Sequence, residues 1–243
     1  IRTNDFTWTM DFNIAFNRSK VLDIYGDHSD TNSFIQDYES RMGFKIVKGK
    51  PMGQFYGLIY DGIYTTDDFE QVDAETYRLK DGIASLKGTD RNSVKPGDVK
   101  YKPIVGETDD AGNPVWSTND RTVIGNASPD FTGGWNNTFT YKGFDLNIFM
   151  NFSVGNDVFN MSTQRFVGPY LANQNSIGDM ANRFKLIDPL NGKECVNLTR
   201  LAELNPGQYS GDLMWNISGN NKTAISDHSS YYIENGSYLR LST

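Results

Sequence analysis

The chain has 243 residues, 37% of them hydrophobic, 13% aromatic and 22% charged, with a formal charge of −7 and a single cysteine, Cys195. One cysteine excludes an internal disulfide framework, and His28 and His228 have no Cys or His near them to give metal-ligand spacing. The acidic balance leaves no basic stripe for a phosphate backbone, which excludes nucleic acid as a partner, and no cofactor motif is present.

No run approaches the roughly 18 apolar residues of a membrane-crossing helix, and the mean hydropathy is −0.54. A β-barrel strand escapes that criterion, because it needs only about 9–11 residues with every second one apolar. Period two is present in several places.

Between Thr7 and Asn17 the even positions are Trp8, Met10, Phe12, Ile14 and Phe16, and the odd ones are small or polar, including Asp11 and Asn13. Successive strand side chains point to opposite faces, so this pattern predicts one apolar face and one polar face. The pattern recurs over Phe131–Tyr141, weakened on its apolar side by Gly133 and Asn137. After the turn dipeptide Lys142-Gly143, Phe144, Leu146, Ile148, Met150, Phe152 and Val154 alternate with Asp145, Asn147, Phe149, Asn151 and Ser153. Two such runs joined by so few residues predict an antiparallel hairpin. A weaker run lies at Tyr231–Thr243, with Gly236-Ser237 as a turn signal inside it. Strands of about eleven residues exceed the ~5–6 usual in a soluble sandwich, so the pattern places an outer-membrane barrel ahead of a soluble carbohydrate-binding β-sandwich.

The intervening regions, 18–130 and 155–230, are polar and rich in turn signals, and read as elaborated loops or separate lobes. Spacings of three and four over Ile177, Met180, Ala181 and Phe184 predict a short helix at Ile177–Ile187. No Gly-rich phosphate loop or nucleophile elbow is found, Cys195 lacks a neighbouring His, and the paired acids Asp67-Asp68 read as solvated surface, so no catalytic centre is expected. Residues 103–120 do not follow the order of a calcium loop.

Six blocks in sequence order carry a family resemblance. They are Asp5–Thr9 with Asn17–Val21, Gly49–Gly57 running into Tyr60–Tyr64, Pro96–Tyr101, Asp120–Asn126, Tyr141–Leu146 and Tyr232–Leu241. Taken together the chain resembles the C-terminal barrel portion of SusC/RagA-type TonB-dependent outer-membrane transporters of Bacteroidetes-like bacteria. The resemblance implies an all-β fold, part of a large antiparallel transmembrane barrel with long extracellular loops. Spanning strands are expected near 7–17, 131–141, 144–154 and 231–243, with extracellular loop regions at 18–130 and 155–230. Four such strands against about 22 in these barrels, without plug or signal segment, imply a fragment.

The implied function is import of large nutrients, glycans or peptides, with a SusD-like surface lipoprotein. Energy is implied to come from the TonB complex through an N-terminal plug. Trp8, Met10, Phe12, Ile14, Phe16, Leu146, Ile148, Met150 and Phe152 are then expected to face outer-membrane lipid, and Asp11, Asn13, Asn147 and Asn151 the lumen. Among loop aromatics, Phe55, Tyr56, Tyr60, Trp116, Tyr170 and Trp215 are candidates for contacting substrate or the lipoprotein. An isolated four-stranded sheet would leave unpaired edges, so the piece alone is not expected to be a well-behaved monomer unless its loops form a core.

Overall fold

Residues 1–24, 33–38, 42–167, 175–217 and 227–242 are described by a computed structural model, with 33–38 and Met42 described as backbone only. Strands β1 (Phe6–Ala15), β2 (Phe131–Tyr141), β3 (Phe144–Val154) and β4 (Tyr238–Ser242) form one antiparallel sheet in that order. The register runs unbroken from Phe6↔Tyr141 to Ala15↔Thr132 and from Tyr141↔Phe144 to Phe131↔Val154. Lys142 and Gly143 both adopt positive φ, +46° and +87°, which a two-residue turn between right-twisted strands demands. At the other end of the sheet β1 and β3 give way to the long polar regions, and the chain re-enters there at Phe131 and Tyr238.

The chain divides into two compact units. The first contains the long sheet, residues 1–55, 125–159 and 233–243. It also holds a smaller arm in which Ser33–Tyr38 pairs with Met42–Val47, and Phe44 and Lys45 lie opposite Phe55 and Gln54. Asp157–Phe159 pairs antiparallel with Ile233–Asn235. The Phe55 ring packs on Phe44 and Phe159 at centroid distances of 5.2 and 6.1 Å.

The second unit takes residues 56–124 and 160–232. Its two segments are tied by backbone and side-chain bonds: Leu58 N–H donates to His228 O (2.8 Å), Thr66 N–H to Gln208 Oε1 (2.8 Å), and Asn216 N–H to Gly97 O (2.8 Å). Arg121 Nη2 lies 2.6 Å from Asp227 Oδ1 in a largely shielded ion pair. Of the twenty buried hydrophobic side chains described, eighteen belong to this unit, and Phe55 and Phe159 are the exceptions. None comes from the long sheet. The polar regions are therefore not structureless loops, because their aromatic and aliphatic residues bury one another and offset the cost of ordering the backbone.

Two local expectations are corrected. The run Tyr231–Thr243 is not one strand: Ser230–Tyr232 is a 3-10 turn, Ile233–Asn235 pairs with Asp157–Phe159, and only β4 joins the long sheet. Gly236-Ser237 divides the run, with Gly236 N–H bonded to Asn156 O (2.8 Å) and Ser237 Oγ accepting from Gly155 N–H (2.9 Å). The helix over Ile177–Ile187 shrinks to a 3-10 segment at Gly178–Asn182, since burial of Met180 and Phe184 inside the lobe, rather than helical periodicity, dictates their spacing. The stretch from Phe55 to Tyr64 is two strands, Gln54–Gly57 and Tyr60–Ile63, with different partners. Among the described residues the short pair Ser85–Leu86 with Val115–Trp116 is parallel, as are the isolated bridges between Leu58 and Ser229 and between Arg183 and Met214.

Candidate functional site

Residues opposite one another in an antiparallel register share a face. Phe6, Trp8, Met10, Phe12 and Ile14 are therefore on one side with Tyr141, Phe139, Trp135 and Phe131, with the even positions from Phe144 to Val154, and with Leu239 and Leu241. The opposite side carries Thr7, Thr9, Asp11, Asn13, Thr138, Thr140, Asp145, Asn147, Asn151 and Arg240.

The two weak points of the apolar side have local remedies. Asn137 is shielded, and its amide oxygen accepts a bond from Trp8 Nε1 at 3.1 Å. Gly133 lets the backbone of β1 and a neighbouring ring close in: a Cβ there would stand 2.4 Å from Asn13 O and 2.4 Å from Phe152 Cζ. Phe152 fills the gap and touches Phe12 and Phe131 at ring distances of 6.1 Å each. Trp8 stacks on Phe139 at 5.9 Å with an 11° interplanar angle.

None of the described residues covers this apolar face. Met10 is 53% exposed, Phe12 58%, Leu146 56% and Leu239 71%. Such a contiguous apolar patch is far outside what a soluble monomer presents to water. The polar face is knit by cross-strand bonds: Thr140 Oγ1 donates to Asp145 Oδ1 (2.7 Å), Asn147 Nδ2 to Thr138 Oγ1 (3.2 Å), and Asn13 Oδ1 accepts from Gly134 N–H (3.0 Å). Asn151 stands between Gly134 and Arg240, while Asp11 is exposed opposite Asn136. Two rings stand on this side: Phe149, lying over Gly134, and Tyr238, opposite Ser153 with the Arg240 guanidinium 5.0 Å from its ring centre.

The loop aromatics separate into groups. Phe55, Trp116 and Trp215 are 3%, 3% and 1% exposed, so they are core residues and present no ring face to a ligand. Trp215 donates from Nε1 to Val167 O (2.9 Å) and meets Tyr231, Tyr60 and Tyr232 edge-on at 4.7, 6.2 and 6.4 Å. Tyr56 and Tyr60 are half-buried, Tyr60 with its ring against Tyr231 at 4.9 Å. Tyr170 lies outside the described residues.

Burial pushes the phenols of Tyr60, Tyr64, Tyr101 and Tyr232 well above the ordinary tyrosine range. A raised folded-state value means the unfolded chain ionises first, so this contribution to stability is intact below about pH 10 and is lost as pH rises beyond it. We expect these four phenols to ionise only as the lobe melts at alkaline pH. Their ionisation within the ordinary tyrosine range in the still-folded lobe would contradict it.

The lobe's acids have structural duties. Asp68 Oδ2 accepts from Thr65 N–H (2.8 Å) and lies 3.6 Å from Lys100 Nζ, so it caps a turn rather than sharing chemistry with Asp67. Hydrogen bonds from Arg200 hold Asp188 below its usual range. Among the described residues no group of three or more His, Cys, Asp or Glu is placed to hold a metal ion. Polar keystones that the sequence pattern did not reveal are Asn216, whose amide donates to Pro96 O (2.8 Å) and Asp98 Oδ1 (2.7 Å), and Asn205, which bonds both backbone groups of Lys185. Their only advance signal was the Pro96-Gly97-Asp98 turn.

No family model matches the chain. It is similar to TonB-dependent receptor P3 of Formosa agariphila, 33% identical over 183 residues that make up 75% of this chain and 16% of the relative. It is also similar to TonB-dependent receptor P26 of that organism, 23% identical over the whole chain and 20% of the relative. Among solved structures, the RagAB peptide transporter covers 99% of the chain with a TM-score of 0.58 at 17% identity, the match spanning 20% of that structure's chain. The chain belongs to the TonB-dependent receptors. It spans between 16% and 20% of the length of the curated relatives it matches. In this receptor chain, then, the long sheet has the fold of a stretch of transporter barrel, and its relatives are named as receptors rather than enzymes.

Proposed function

We propose that the chain forms part of the wall and the external lobes of an outer-membrane importer for large nutrients, glycans or peptides. The apolar face of the sheet, with Trp8, Met10, Phe12, Ile14, Leu146, Ile148, Met150 and Phe152, and with Phe16 just beyond β1, meets lipid. Asp11, Asn13, Asn147 and Asn151 line the lumen. Because barrels keep short turns on the periplasmic side and long connections outside, the Lys142-Gly143 turn is periplasmic. Regions 18–130 and 155–230 then lie at the cell surface, where a SusD-like lipoprotein joins them in capturing substrate. The TonB complex supplies energy through a plug elsewhere in the protein, and the chain itself performs no covalent chemistry.

The observation that carries this reading is the uncovered apolar face, which no described residue buries. A soluble carbohydrate-binding sandwich would need a second sheet about 10 Å above that face. The test is uptake of labelled oligosaccharide and oligopeptide pools by cells with and without the intact receptor, before and after collapse of the proton gradient, together with its membrane fractionation. Gradient-dependent uptake of one pool, lost on deletion, is expected. A receptor that fractionates as a detergent-free soluble monomer, or whose deletion leaves uptake of both pools unchanged, would overturn the reading.

A further inference from the structure

We propose that the loop end of the sheet-bearing unit holds a phosphorylated lipid headgroup of the outer leaflet, in a site made by Arg18, Lys20, Lys48 and Lys50. The inference rests on the membrane reading above and adds a ligand to it.

The four cations are brought together where two irregular segments run side by side. Val21 N–H donates to Lys50 O (3.0 Å), Gly49 N–H to Val21 O (2.8 Å), and Met52 N–H to Ser19 Oγ (3.4 Å), so residues 19–21 run alongside 49–52. Lys20 Cε lies 3.9 Å from where a side chain on Gly49 would begin, which sets the Lys20 stem over the opposite segment. All four side chains are exposed. Lys48 is 3.5 Å from Asp23 in an open pair, and Arg18, Lys20 and Lys50 make no salt bridge among the described residues. Arg18 also lines a small cavity of about 210 Å³ with Ser19, Asn126, Ser128 and Asp130, and among the described residues it forms no salt bridge with that carboxylate.

In a chain of net charge −7 this concentration of positive charge departs from the composition. The turn end of the same sheet makes the contrast. There Arg2 and Lys142 are balanced by Asp5 and Asp145, with Lys142 and Asp5 3.8 Å apart.

The surroundings point to a lipid rather than to a free anion. Phe16, Leu22 and Met52 are exposed beside the cations, and the Phe16 ring packs on Phe131 at 5.8 Å, which continues the apolar face of the sheet to the base of the two segments. An acyl chain lying along Ile14 and Phe16 would bring its phosphate to the lysines and Arg18. Guanidinium and ammonium groups are the natural donors to phosphate oxygens, and basic clusters at a membrane boundary are a recurrent headgroup device.

The test uses the intact receptor in phosphatidylcholine nanodiscs, with binding read by native mass spectrometry. The probes are bisphosphorylated lipid A, the same lipid with both phosphates removed, and inorganic phosphate. Tight binding of the phosphorylated lipid alone is expected. At roughly fivefold lost per cation removed, K50Q should weaken it about fivefold and R18Q/K20Q/K50Q about a hundredfold, while R2Q/K142Q at the turn end should retain it. Equal binding of the dephosphorylated lipid, displacement by inorganic phosphate alone, or unchanged binding by the triple variant would overturn the proposal. Membrane fractionation and uptake are scored separately. A receptor in the outer membrane that imports its substrate but shows no preference for the phosphorylated lipid sinks this inference alone.

Discussion

Replacing Trp215 with alanine is expected to destabilise the lobe by about 3–5 kcal/mol, the range for removing a buried large aromatic side chain. The indole is almost wholly enclosed, it satisfies the Val167 carbonyl, and it is the common neighbour of Tyr60, Tyr231 and Tyr232. Its loss opens a cavity lined by three rings and leaves a buried acceptor without its donor. Trp215→Phe, which keeps a ring but not the N–H, should cost less, with about 1–3 kcal/mol coming from the abandoned acceptor. Hydrogen exchange of residues 56–124 and 160–217 in the intact receptor reads both effects. Protection that changes by less than about 1 kcal/mol in Trp215→Ala would show that this ring cluster is not the lobe's core, by the scale set for large-to-small substitutions.

The second large effect concerns the sheet. Ile148 lies opposite Asn137 near the middle of β3, on the apolar face, and Asn147 is its immediate neighbour on the polar face, bonded to Thr138 Oγ1. Ile148→Arg should cost about 2–4 kcal/mol in a bilayer, because the guanidinium must be buried in hydrocarbon or drag water with it, whereas Asn147→Arg reaches the hydrated side and should be tolerated. Urea-induced unfolding of the intact receptor in lipid vesicles measures the pair. Similar costs for both variants would mean that the two faces do not see different solvents, and the assignment of lipid and lumen would fall.

What was legible in the sequence was local and periodic. The strand Phe6–Ala15 and the hairpin Phe131–Val154 could be seen because side chains alternate sides along a strand, and because Lys142-Gly143 supplies the positive φ angles a tight turn requires. Even the interruptions at Gly133 and Asn137 were visible as interruptions. Their remedy was not, since it depends on Phe152 and Trp8 arriving from the neighbouring strands.

Tertiary structure alone decided the fate of the polar regions. Trp116 and Trp215 look in sequence like exposed binding rings among turn residues, yet Val167, 48 positions away, and Tyr60, 155 positions away, help enclose Trp215, and Tyr101 meets Trp116 edge-on. No periodicity announces such contacts, because irregular segments bury residues wherever the backbone happens to pass and not at a fixed repeat. The division of Tyr231–Thr243 between a turn and two sheets has the same origin, for each half is held by a different partner strand. So too has the cluster of Arg18, Lys20, Lys48 and Lys50, whose members lie up to thirty-two residues apart in the chain and meet only because Val21 hydrogen-bonds with Gly49 and Lys50. The sequence by itself determined where strands could form and which of their faces is apolar, since both follow from nearest-neighbour stereochemistry. Which rings are buried, which charges gather and which strand ends pair depended on long-range closure of the chain, where the free energy of burial is settled between residues that the sequence keeps apart.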